Sequence, residues 1–142
     1  METQSFKNHV RVHPLYHYVL MPFSLLLVLA AGINGTINYD IEAVILLMIT
    51  VILHLVVFVA RDYAKKNQDR IIRSELRLRY FQLTHKRLDE IESEFAFPQL
   101  LALRFASDDE FLKLIESPET RERKPVEIKK QITRWNADWM RI

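Results

Sequence analysis

Ala43-Val44-Ile45-Leu46-Leu47-Met48-Ile49-Thr50-Val51-Ile52-Leu53-His54-Leu55-Val56-Val57-Phe58-Val59-Ala60 is the stretch that decides the fold. Sixteen of its 18 residues are apolar, the exceptions being Thr50 and His54, and no charge interrupts it between Glu42 and Arg61. As a helix it reaches about 27 Å, enough for hydrocarbon once Ile41 and the flanking turns are added. Its β-branched pairs would favour a strand in water. In lipid the need to satisfy every backbone hydrogen bond internally overrides that preference.

A second apolar run precedes it. From Leu15 to Gly35, 15 of 21 residues are apolar, and the 28 residues between Arg11 and Asp40 carry no Asp, Glu, Lys or Arg. Of the 38 charged residues in the chain, 33 lie from Arg61 onward. That division excludes an ordinary soluble domain, whose charges are spread along the chain. The absence of cysteine excludes disulfides and thiolate chemistry, and two glycines leave no Gly-rich phosphate loop. Lys7 and Arg11 before the first run fit a signal peptide, but the run is too long, and Leu29-Ala30-Ala31-Gly32 is a poor cleavage site.

The expected architecture is all-α. A segment at 1–14 leads into a transmembrane hairpin at 15–60, with spans about 15–35 and 43–60 and a short external loop at 36–42. A helical cytoplasmic region follows at 61–142. Lys7 and Arg11 stand before the first span, while Arg61, Lys65, Lys66, Arg70 and Arg73 follow the second; the connecting loop has no Lys or Arg. By the positive-inside rule both termini are cytoplasmic. Asn34-Gly35-Thr36 matches a glycosylation sequon, but Asn-Gly reads first as the turn of the hairpin.

Within the bilayer His54 is the singular residue. An antiparallel hairpin in which Gly35 lies level with Ile41 sets it level with Pro22, one turn from Ser24 and Tyr18. Pro22 frees the Tyr18 carbonyl, so His54 is expected to make a polar contact with that carbonyl or with Ser24. A sharper reading makes His54 a proton relay or a haem or quinone ligand. His9, His13 and His17 are spaced like a metal ladder, but Pro14 breaks the helix that would stack them. Arg11 and His17, with Arg61, Lys65 and Lys66 after the second span, read instead as a collar at headgroup level.

Beyond Arg61, Ile72, Leu76, Tyr80 and Leu83 form one helical stripe, and the absence of Gly and Pro suggests one helix to about Glu92. Net charge alternates from +6 over 61–87 to −7 over 88–122 and +4 over 123–142, as if the acidic middle folds back on the basic arms. The interspersed acids argue against nucleic-acid binding. Pro98 opens a short helix. Ser107-Asp108-Asp109-Glu110 has capping-box form, with Ser107 as cap and Glu110 reaching back, so its acids need no metal. That cap opens a helix over about 108–116. A charged linker at 119–124 leads to a last helix from Pro125, placing Ile128, Ile132, Trp135, Trp139 and Ile142 on one stripe, to be buried in a core or in the membrane interface.

With these residues placed, the chain resembles an uncharacterised family of short bacterial two-span membrane proteins, a domain of unknown function. The likeness lies in Phe6-Lys7-Asn8-His9-x-Arg11-x-x-Pro14-x-Tyr16-His17 and in Gln68-Asp69-Arg70-Ile71-x-Arg73-x-Glu75-x-Arg77. It continues in Gln99-Leu100-x-Ala102-Leu103-Arg104-Phe105-Ala106-Ser107-Asp108-x-Glu110, in Ile128-Lys129-Lys130 and in Trp135-x-x-Asp138-x-x-Arg141. The resemblance implies a bacterial two-span protein with a helical cytoplasmic region, and brings no activity, cofactor or catalytic residue; the expected location is the bacterial cytoplasmic (inner) membrane. The expected function is a non-enzymatic accessory, scaffold or assembly subunit, with the lipid bilayer and a membrane protein or a second copy as partners. The alternatives are a redox or proton-handling component built on His54, and an anionic-lipid surface sensor built on the basic block.

Overall fold

The computed structural model describes residues 4–9 and 12–138. They fall into two compact units, 12–67 and 4–9 with 68–138. Among the described residues there are seven helices: α1 (Leu15–Asn38), α2 (Ile41–Thr84), α3 (Asp89–Glu92), α4 (Phe97–Leu103), α5 (Asp108–Glu116), α6 (Pro118–Glu122) and α7 (Pro125–Gln131). Among the described residues there is no strand, only an antiparallel bridge between Ala106 and Trp135. α2 gives its residues 41–67 to the first unit and 68–84 to the second.

In the first unit, α1 and the start of α2 are both long and apolar enough to cross a membrane. Their surfaces expose Leu25, Leu26, Leu27, Ile45, Ile49, Leu53 and Val56, while the buried residues are Ala31, Ala43 and Thr50. Small residues inside and large apolar ones outside suit a helix pair in lipid, where close backbone approach supplies the packing. The opening turns of α1, Leu15–Leu20, are wound wide, and the Met21 N–H donates to the Tyr16 carbonyl five residues back. Pro22, which has no N–H to give, stands at the end of this widened stretch, a common cause of such winding.

The turn corrects the reading of Asn34-Gly35. Both lie inside α1, where Asn38 Nδ2 donates to Asn34 Oδ1 at 2.7 Å. The chain turns instead at Tyr39, in the left-handed region at φ 49°, and Asp40 Oδ1 accepts the Ala43 N–H at 2.7 Å to cap α2. The loop expected at 36–42 shrinks to two residues.

The second unit gathers around the expected stripe of α2. Ile72, Leu76 and Tyr80 are buried against Leu88, Phe95, Leu100, Leu103, Phe105, Phe111, Ile115, Ile128 and Ile132, with Leu83 partly buried beside them. α2 does not reach Glu92: it ends at Thr84, whose Oγ1 donates to the Tyr80 carbonyl and accepts the Lys86 N–H, and His85 turns left-handed at φ 57°. The acidic α3 then folds back, and Arg73 and Arg77 straddle Glu92 at 3.0 and 2.7 Å. The charged stretch after Pro118 is a helix, α6, rather than a linker.

The last helix is also shorter than its apolar periodicity suggests. α7 stops at Gln131, so Ile128 and Ile132 enter the core while Trp135 packs from extended chain. Trp139 and Ile142, the remainder of the expected stripe, and Arg11 lie outside the described residues.

Candidate functional site

In the hairpin the polar contact centres on Ser24 and His54. Ser24 Oγ lies 2.8 Å from His54 Nδ1 and 3.1 Å from the Met21 carbonyl. Phe58 meets the His54 ring edge to face at 5.0 Å. Moving the turn to Tyr39–Asp40 is what aligns Ser24, rather than Pro22, with His54. The Tyr18 carbonyl, the other expected partner, makes no hydrogen bond to His54 among the described residues, and Tyr18 is 69% exposed.

The contact is a staple between two helices whose exposed faces are mainly apolar. Replacing either Ser24 or His54 with alanine is expected to weaken helix pairing by about 0.6–2 kcal/mol. Unfolding of the full chain in mixed micelles measures it, and a double-mutant cycle should show the two losses to be coupled.

The residues of the expected collar make contacts within the chain. The Arg61 guanidinium sits over the Tyr16 ring at 5.2 Å, and His17 meets the same ring edge-on at 5.0 Å. Lys66 pairs with Asp62 at 2.7 Å, and the hydrogen bond to that carboxylate raises its pKa above 10.5. Lys65 is exposed.

In the second unit, segments far apart in sequence meet. His9 Nδ1 is 2.7 Å from the Phe6 carbonyl, so Nδ1 donates there and Nε2 accepts from Lys129 Nζ at 3.1 Å. The His9 ring stacks on Phe6 and contacts Phe105 and Trp135. Arg104, nearly buried, pairs with Asp138 at 3.2 Å, and Gln4 Oε1 accepts the Asp138 N–H. Beside this cluster, Gln68, Asp69, Arg104 and Lys129 line a cavity of about 140 Å³ walled by Ile72, Pro98, Leu101 and Pro125. The N-terminal motif, Gln68-Asp69, Arg104, Lys129 and Trp135-x-x-Asp138 thus converge on one region. His9 was legible only as a rung of a metal ladder; its two nitrogens are occupied instead by Phe6 and Lys129.

Ser107 and Glu110 do not form the expected capping box. Ser107 occupies the cap position of α5, but its Oγ is buried with no hydrogen-bond partner among the described residues, and its N–H goes to the Arg134 carbonyl at 3.0 Å. Glu110 turns away to accept the Thr133 and Arg134 N–H groups at 3.1 Å and the Thr133 hydroxyl. With Asn136 N–H donating to the Phe105 carbonyl at 2.7 Å, the chain after Ile132 is bound to 105–110. These bonds compete with continuation of α7 and end it.

Burial alone would raise the Glu110 carboxyl, but the Thr133 hydroxyl and the two backbone N–H groups outweigh it and hold the group below its ordinary 4.5. The folded state therefore binds this proton more weakly than the unfolded chain. The stabilisation is complete above pH 4.5 and is lost as pH falls through the lower folded-state value. Glu110→Gln is expected to cost about 1 kcal/mol at neutral pH, given partial solvent screening. Melting both forms across the acid range checks this: the gap should close as the wild-type carboxyl protonates.

Arg79 is the other organiser. Its guanidinium donates to the Ala106 carbonyl at 2.7 Å, pairs with Asp108 at 2.7 Å and covers the Phe111 ring at 4.7 Å. No group of three or more His, Cys, Asp and Glu gathers around one point among the described residues.

The described residues define a small all-α protein with two helices fit to span a membrane and a second, charged helical unit. The chain belongs to the family of unknown function DUF6526, whose model matches residues 1–142. No curated protein and no solved structure matches it.

Proposed function

We propose that this chain is a non-enzymatic subunit of the bacterial cytoplasmic membrane, with both termini inside the cell, that acts as an accessory, scaffold or assembly element for membrane proteins. The observation that carries this reading is how the polar groups of the helical unit are used. Arg79, Gln99, Glu110 and His9 bind carbonyls, amides and side chains of their own unit. Chemistry would instead need a nucleophile and a base aimed at open space. The arginines and lysines bracketing the apolar helices, and the neutral-to-acidic turn at Tyr39–Asp40, support the orientation. The Arg61–Tyr16 contact suits an anchor at the headgroups.

The chain has no native cysteine, so single cysteines report topology cleanly. Tyr39→Cys should react with an impermeant thiol reagent on intact cells, whereas Ser5→Cys and Glu90→Cys should react only after permeabilisation. The reverse pattern would overturn the orientation. For the assembly role, purification of the untagged protein from its own membrane should bring down another membrane protein, or a second copy, in fixed ratio; a lone chain would count against it.

A further inference from the structure

The helical unit leaves one face of α2 uncovered. Ile71, Leu78 and Phe81 are 58%, 58% and 49% exposed, while Ile72, Leu76 and Tyr80 on the opposite side are buried in the core. Their spacing, with Ser74 between the first two, is seven and three: the alternation of a two-stranded coiled-coil seam. Arg70, Ile71, Ser74, Glu75 and Leu78 line a shallow groove along it.

Arg70 forms one wall of this groove and Glu75 the other, and neither makes an ion pair among the described residues. In a parallel pair of helices the residue just before a seam position faces the residue five further along the partner. Arg70 of each chain then meets Glu75 of the other, so the face is complementary to itself. An antiparallel copy would set walls of like sign together, Arg70 against Arg77.

We propose that this face of α2 binds a second copy of the chain in parallel, seamed by Ile71, Ser74, Leu78 and Phe81 and clasped by two Arg70–Glu75 pairs. Two heptads are too short to associate from dilute solution. The inference rests on the membrane-spanning reading above: a bilayer that holds every copy in one orientation raises their effective concentration and forbids the antiparallel arrangement.

The test uses the full chain in lipid nanodiscs or liposomes. Ser74→Cys, on the seam, should form an interchain disulfide many times faster than Glu90→Cys, which is exposed elsewhere. Arg70→Glu or Glu75→Arg alone should raise the dimer dissociation constant about fivefold, and the two together should restore it. Cross-linking no faster at Ser74→Cys than at Glu90→Cys, or failure of the double reversal to restore the dimer, would overturn the seam and leave the face to a lipid surface or another protein. A one-chain mass in the bilayer would do the same. Because the spans are tested separately by labelling Tyr39→Cys, the seam can fail while the membrane reading stands.

Discussion

Phe111→Ala is expected to lower the stability of the helical unit by about 3–5 kcal/mol, the usual cost of deleting a fully buried ring. Phe111 is 0% exposed, meets the edge of Tyr80 at a centroid distance of 6.5 Å and lies beneath the Arg79 guanidinium at 4.7 Å. Alanine would leave a cavity at the junction of α2 and α5. It would also remove the aromatic face over which Arg79 is held while it binds Ala106 and Asp108. With so small a core, a loss of that size approaches the whole stability of a domain. Hydrogen exchange of the full chain in micelles checks it. Amides of α5 and α7 should lose most of their protection, while those of α1, which belongs to the other unit, should keep theirs. Phe111→Leu, which refills much of the volume, should recover a large part of the loss.

What the sequence disclosed, and what it hid, divides along physical lines. Long uncharged runs announce two apolar helices whatever their neighbours are, and the stripe Ile72, Leu76, Tyr80 announces a buried face because a helix repeats itself. Asn34-Gly35 carries the strongest local turn signal, yet α1 keeps its internal hydrogen bonds and runs through it. The turn fell on Tyr39, a residue with no special claim to the left-handed region. The end of α2 at Thr84 was invisible for the same reason: neither Gly nor Pro marks it. Ser107 and Glu110 fitted a local motif, but partners 23 and more residues away, Thr133 and Arg134, took their bonds. Those partners also ended the helix whose periodicity promised to continue through Trp135. Long-range competition for backbone groups leaves no trace in a local window.

Gln99→Ala is the second large effect, because this one side chain closes four backbone bonds. Gln99 is buried, and its Oε1 accepts the Ala96 N–H at 2.7 Å, filling the cap that alanine at position 96 has no side chain to provide. Its Nε2 faces the carbonyls of Thr120, Arg121 and Arg123 at 3.4, 2.9 and 2.8 Å, and so ties the end of α6 to the start of α4. An amide has only two N–H protons for three acceptors, so the longest of these contacts is the shared one. Truncation would strip the partner from the Ala96 N–H and from at least two carbonyls, at about 1–3 kcal/mol for each group that water cannot reach. Backbone relaxation at α6 should hold the total to about 2–4 kcal/mol. Gln99→Glu separates the two halves of the role: it keeps the acceptor for Ala96 but turns a carboxylate oxygen toward three carbonyls. If the α6 contacts dominate, Gln99→Glu will be as damaging as alanine at neutral pH and will recover as acid protonates the carboxyl into a donor. Melting curves of the two variants from neutral to acid pH decide it, since a cap-only role predicts that Gln99→Glu stays near wild type throughout.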